Sequence, residues 1–340
     1  MRLDWRGVLG IALSVLLLWL TLRGVDLRAV WRILATSSLP LWLLSAVTAT
    51  VIFPLRARRW QAILVPLVGR LPVAPLWRAT AIGMMVNNVL LARAGEPARA
   101  FVLSRERPEV RFTAAFGSLV VDRVFDGIVV LALMVAATLD PRFPADATVL
   151  GATAGNIAVS AGFALTVAIA ALYALVLKPE PFIQVAERVT GAVWARGVTK
   201  VHALLTGFAS GLRVLREPRL VLEVLWWTLL HWLTNAAAFY LGFRALGIAA
   251  PLTAAFFVQG LIAISVVLPS SPGFFGLFEA AGTAGLGLYG IPAANAVSWA
   301  IGFHLLSFIP ITVIGVWYVA RLDLRLRDLG GVTPPPTATP

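Results

Sequence analysis

Asn87-Asn88, then Ala92-Arg93-Ala94-Gly95-Glu96-Pro97-Ala98-Arg99, then Asp122-Arg123-Val124-Phe125-Asp126 interrupt a chain that is otherwise strongly apolar. In a sequence that is 59% hydrophobic and only 13% charged, such a clustering of ionisable groups stands out. What surrounds it decides the fold.

Apolar runs of about 18 residues or more recur along the 340 residues, and the mean hydropathy is +0.88. A soluble domain does not repeat such runs, so lipid is the solvent for most of the chain. The net charge of +12 sits mainly on arginines between the apolar runs, where the positive-inside rule and anionic lipid account for it. No nucleic-acid-binding motif accompanies it, so nucleic acid is not expected as a partner. With no cysteine, disulfides and thiolate metal sites are excluded. No soluble catalytic domain is visible, and no cofactor or metal is expected.

Working outward, Gly7 to Leu22 reads as a retained first span, because charged residues rather than a small-residue cleavage site follow it. Leu39 to Leu55 is a second span. Arg56, Arg58 and Arg59 close it like a cytoplasmic anchor, with Trp60 in the interfacial belt. Leu76 to Leu91 has basic residues on both flanks, so both flanks favour the cytoplasm. That predicts a re-entrant or broken helix, with Asn87 and Asn88 against protein or water. Phe112 to Leu139 spans outward, Asp140 to Asp146 forms an external loop, and Val149 to Leu177 returns.

Residues 178–219 carry seven basic side chains with apolar residues at helical spacing, which predicts an amphipathic connector on the cytoplasmic face. A charged connector that only fixes topology is the alternative. From Val224 to Ala320 the only charged residues are Arg244 and Glu279, and two or three spans fit. Pro251 to Leu268 and Pro272 to Tyr289 read either as full spans or as half-depth segments. The second option mirrors the first half of the chain and allows an inverted repeat. Arg321, Arg325 and Arg327 put the end inside, before a disordered tail over 329–340. The expected fold is all-α: a polytopic bundle in one domain, 1–328, of about 7–9 membrane segments including re-entrant or broken helices.

Asp122 and Arg123 each fall within one helical turn of Asp126, on one face. One ionised side chain at mid-helix costs roughly 2.5–3.5 kcal/mol on translocon scales, so three must be paired or face water. They read as a polar cavity wall for a charged headgroup or proton, or as an ion pair locking helices. Arg93 and Arg99 could grip phosphate, and Gly95 beside Glu96 permits close backbone approach. A cytoplasmic surface loop is the plainer reading there.

The second constellation is Leu268-Pro269-Ser270-Ser271-Pro272-Gly273 with Gly276 and Glu279. Its prolines and glycines break any continuous helix and free amides to meet an anion. Glu279 should face the interior. Burial there disfavours its charged form, making it a candidate proton carrier or cation partner, or an acid that only orients helices. Gly285-Leu286-Gly287-Leu288-Tyr289-Gly290 matches a dinucleotide pattern without its strand, so small residues at a helix contact explain it better. His202, His231 and His304 share no metal-ligand spacing. For the two in apolar runs, His231 and His304, a hydrogen-bonded packing role is expected.

These motifs, in this order, resemble the flippase-like membrane family that includes the transmembrane part of lysylphosphatidylglycerol synthase/flippase, over Gly7 to Arg321. Leu91 stands where members of that family often have proline. The resemblance implies a multi-pass inner-membrane protein, both termini cytoplasmic, that moves a charged-headgroup lipid between leaflets rather than an enzyme. Arg93, Arg99 and Arg123 would guide the headgroup; Asp122, Asp126 and Glu279 would balance charge. Membrane lipids are the expected partners, with a second copy of the chain or a lipid-synthesis enzyme also open. A subunit or enzyme of lipid-linked sugar or aminoacyl-lipid synthesis, and a non-transporting scaffold, are the competing functions.

Overall fold

Exposed apolar residues recur every three or four positions along the long helices. Leu222, Trp226, Leu229 and Leu233 form one such stripe, Val159, Phe163 and Val167 another, and Leu305, Ile309, Val313 and Val316 a third. Water would not tolerate continuous stripes of this kind; hydrocarbon does. The protein is a membrane protein, and its interior is on the other side of these helices. The structure, a computed structural model, describes residues 5–90, 94–149, 151–177, 184, 188, 190, 212–268, 271–325 and 329. Of the expected connector over 178–219, most lies outside the described residues, as does the tail; its end, 212–219, is a short 3-10 helix, Leu212–Arg216, and the start of the next long helix.

The helices are α1 (Trp5–Leu22), α2 (Leu27–Ala35), α3 (Leu39–Val68), α4 (Val73–Val89), α5 (Gly95–Glu106), α6 (Phe112–Ala136), α7 (Ala154–Leu177), α8 (Pro218–Ala245), α9 (Leu252–Ser265), α10 (Leu277–Leu288) and α11 (Ala293–Arg321). Among the described residues, three regions, Leu39–Val68, Ala154–Ala171 and Ala293–Arg321, are long and apolar enough to cross a membrane by length and composition alone. With 25 and 28 residues, α6 and α8 are about 37 and 42 Å long, sufficient for a core of about 30 Å. Asp122, Arg123 and Asp126 in α6, and His231 and Asn235 in α8, interrupt their apolar runs. By contrast α9 and α10, with 14 and 12 residues, reach only about 21 and 18 Å.

The helix α3 departs from expectation. Its 30 residues continue through Pro54 and the Arg56–Arg59 stretch to Val68. Arg59 and Trp60 are fully buried, so neither belongs to an anchor or an interfacial belt. The helix need not stop there because the arginines meet carboxylates rather than water. A second difference is the start of α7. A two-residue hairpin, Thr148–Val149 paired with Ala152–Thr153, precedes it, so the span begins at Ala154. In the loop before the hairpin, hydrogen bonds from Arg142 and Thr253 hold the Asp140 carboxyl below the usual carboxylate range and tie α6 to the start of α9.

Two short helix pairs organise the packing. Between α4 and α5, Asn87 faces Gly95 while Gly83 and Thr80 face Arg99, an antiparallel register. Gly83 and Gly95 let the backbones touch: a Cβ on either would overlap the other's carbonyl. Between α9 and α10, Val258 faces Gly285 and Ile262 faces Gly282, again antiparallel, and Gly285 acts as a small contact residue. One buried core gathers around each pair. Trp60, Leu64, Leu76, Ile82 and Leu103 belong to the first, and Trp42, Phe239, Phe243, Val258 and Trp299 to the second. The helix α3 contributes its first half to the second core and its second half to the first.

Replacing Gly83 by valine should therefore lower stability by about 1–3 kcal/mol through overpacking. Gly287→Ala, where an added methyl meets nothing within 4 Å, should be neutral or slightly stabilising. Thermal unfolding of the purified protein in detergent checks the contrast.

Candidate functional site

Helical spacing puts Asp122 and Asp126 one turn apart on α6, and Arg56 and Arg59 one turn apart on α3. Where these faces meet, Arg59 donates from Nε to Asp122 at 2.6 Å, from Nη1 to Asp126 at 2.6 Å and from Nη2 to Asp126 at 3.2 Å. From α5, Arg99 donates to Thr80 at 3.2 Å, comes within 3.6 Å of Asp122 and stacks 4.6 Å above the Trp60 ring. Trp60 in turn donates to Ser118 at 2.8 Å. Arg123 bridges outward to Glu96 at 2.9 Å and back to Asp126 at 3.2 Å. Trp232 of α8 adds a bond to Asp126 at 2.9 Å. Four arginines and three acids from three helices, α3, α5 and α6, thus form one network, Arg56 joining it 3.6 Å from Asp126.

The network has an inner part and an outer edge. Arg59, Arg99 and Asp122 are fully buried, and their role is to lock α3, α5 and α6 together. Arg56, Glu96, Arg123 and Asp126 lie on the wall of a cavity of ≈ 690 Å³. The Arg123 side chain is 41% exposed there. The other walls come from mid-helix residues of α3, α8, α9 and α11, including Ile52, Asn235, Gln259 and Phe308. The cavity therefore lies near mid-depth of the long helices, between the two cores.

The far wall is the turn before α10. Gly276, at φ +85°, has no room for a Cβ because the Ser14 carbonyl of α1 packs against it. Glu279 reaches back to accept from the Gly276 amide at 2.6 Å, closing the first turn of α10. Its other oxygen meets His304 Nδ1 at 2.5 Å, while His304 Nε2 meets the Gly273 carbonyl at 2.8 Å. Both ring nitrogens thus face oxygen. His304 therefore ties α11 both to Glu279 of α10 and to the turn that precedes it. Phe274, at φ 62°, sits next to it on the cavity wall, in a backbone region costing roughly 1–2 kcal/mol for a residue with a Cβ.

Of the residues singled out in the sequence, Asn87, Asn88, Glu96, Arg123, Asp126 and Gly273 share this cavity. Asn87 also caps α5 through the Gly95 amide at 2.9 Å, and Asn88 donates to Thr312 at 2.7 Å. Arg99 and Asp122 are in the locked interior instead, out of a headgroup's reach. Gly95 serves helix contact. Glu279 lies just behind the wall and acts through His304. The amides expected to meet an anion are taken: Ser271 N–H donates to Ser14 and Gly276 N–H to Glu279. Arg93 and Ser270 lie outside the described residues, as does His202. The sequence reading missed Arg56 and Arg59. Their i, i+3 spacing, with Arg58 pointing away to the surface, was the available signal.

Lipid-facing stripes, long apolar helices and a charged cavity wall at mid-depth define a polytopic helical membrane protein. Residues 7–315 match the family described as the lysylphosphatidylglycerol synthase TM region, and the chain belongs to that family. It is also 28% identical over 344 residues to glycosyltransferase AglD of Haloferax volcanii, an alignment covering 94% of this chain and 55% of AglD. The chain thus spans about half the length of this curated relative.

Because Arg59 has two buried carboxylate partners, Arg59→Gln should destabilise the protein by about 3–5 kcal/mol. The exposed neighbour change Arg58→Gln should stay within about 0.5 kcal/mol. Thermal or denaturant unfolding of the two variants tests whether the inner network is structural.

Proposed function

We propose that the protein moves a lipid with a charged headgroup between the two leaflets of the cell membrane, the acyl tails remaining in lipid. The observation that carries this reading is the half-exposed edge of the ion network on a cavity at mid-depth. A cavity of ≈ 690 Å³ is of headgroup size. Water or a polar headgroup in it keeps Arg123, Glu96 and Asp126 solvated where hydrocarbon would not.

The short pairs α4–α5 and α9–α10 read as re-entrant halves entering from opposite sides, with both termini cytoplasmic. Broken helices that meet near the midplane support an alternating-access mechanism. On the far wall His304 ties α11 to Glu279 of α10 and to the Gly273 carbonyl of the turn before it, so movement of that wall must break or re-form these contacts.

The likeness to a protein named glycosyltransferase supports a second reading, in which the chain presents a lipid to a partner enzyme of lipid-linked sugar or aminoacyl-lipid synthesis. Mass spectrometry of co-purified lipid discriminates, since only the second reading requires a sugar-bearing or aminoacyl lipid.

Purified protein in liposomes with fluorescent anionic, zwitterionic and polyprenyl-phosphate lipids should exchange at least one class between leaflets faster than protein-free vesicles do. Exchange no faster than in those vesicles for all three would end the transport reading. Glu279→Gln should fold normally, because an amide can accept from Gly276 and donate to a neutral His304. It should slow exchange while leaving the fold intact, whereas a scaffold role predicts that the substitution affects folding alone.

A further inference from the structure

The charge count of the network points to an occupant. Arg56, Arg59, Arg99 and Arg123 stand against Glu96, Asp122 and Asp126, all linked by contacts of 3.6 Å or less. One positive charge is left over in a setting where every unbalanced charge is expensive.

That surplus can be assigned to a residue. Arg59 uses all three of its nitrogens on carboxylates, and Arg123 bonds to two acids. Arg56 and Arg99 each stand 3.6 Å from their nearest carboxylate oxygen and each leave two guanidinium nitrogens without a hydrogen-bond partner among the described residues, but Arg99 is enclosed against Trp60 and only Arg56 lies on the cavity wall. Its side chain is nine-tenths buried on the cavity wall, its nearest carboxylate oxygen is 3.6 Å away on Asp126, and Nη1 has only the Met84 sulfur at 3.9 Å. Nε and Nη2 have no hydrogen-bond partner among the described residues. These two atoms form one edge of the guanidinium fork, spaced to meet two oxygens of a phosphate or carboxylate. The edge belongs to a side chain that lines the cavity. A second unpaired donor, Gln259 Nε2, belongs to the opposite wall on α9.

We propose that Arg56 is the anion-binding residue of the cavity and that it takes the phosphodiester of a lipid headgroup. A phosphodiester carries one negative charge and matches the one surplus positive charge; a dianionic phosphomonoester would overshoot it. The inference rests on the reading of the cavity as a lipid-headgroup site, and it narrows that reading to one residue and one chemical class.

The test is binding to the full chain in detergent, with short-chain phosphatidylglycerol, the matching diacylglycerol and inorganic phosphate as probes. Wild type should bind phosphatidylglycerol, and Arg56→Gln should weaken that binding about tenfold or more, with diacylglycerol binding unchanged. Arg58→Gln should behave as wild type. Arg56→Gln should keep or raise thermal stability, since it removes unpaired buried donors. Unchanged phosphatidylglycerol affinity in a folded Arg56→Gln overturns the assignment. So does inorganic phosphate that binds as tightly as the lipid and displaces it, which would make this a free-anion site. Leaflet exchange, measured separately, distinguishes the two claims. Arg56-dependent binding without exchange defeats transport and leaves the site, whereas exchange with unchanged lipid preference in Arg56→Gln defeats the site and leaves transport.

Discussion

Everything in this bundle depends on burying ions in a membrane. An isolated guanidinium or carboxylate in hydrocarbon is costly, so each of the buried charges forces another to come to it. Arg59 is the centre of that constraint. By holding Asp122 and Asp126 together it fixes the rotation of α6 against α3, and through Asp122 it positions Arg99 and hence α5. A network this interlocked specifies one arrangement of helices more sharply than apolar packing does, because lipid offers apolar surfaces little reason to prefer one partner over another.

The same network divides into parts with different chemistry. Groups that are fully enclosed have their partners and serve geometry. Groups at the edge, Arg56 and Arg123 above all, have incomplete or water-accessible partnerships. The turn before α10 shows the division again on a smaller scale. Backbone amides there are taken by Ser14 and Glu279, and what it presents to the cavity is Gly273 and the strained Phe274, with the His304 ring of α11 beside them.

Much of this was legible in the sequence. Hydropathy gave the membrane class, the spacing of Asp122, Arg123 and Asp126 gave one polar helical face, and the motif order gave the family. The juxtaposition of residues near 90 and 125 with those near 273 follows from the two helix pairs packing toward a common space. The arginines of α3 were misread for a physical reason. Arginine after an apolar run means an interface if its partner is water, and the sequence does not show that the partner is a carboxylate 63 residues away. Gly95 was read as a place where a phosphate could approach the backbone closely, whereas its amide donates to Asn87. Local spacing reveals a face, but which face it meets is decided by tertiary contact.

One consequence of the shared helix remains. Because α3 is one rod whose halves are embedded in different cores, the two lobes are joined as if by a common axle. A change in the angle between the cores would bend α3 between Ala49 and Ala57, and would bend α11, which also runs from one core to the other and carries Pro310. The α3 interval contains Pro54, which lacks the N–H to bond the Thr50 carbonyl and is where a helix bends most cheaply. Arg56 lies two residues beyond that joint, so a change in the angle between lobes is translated directly into the direction its guanidinium points.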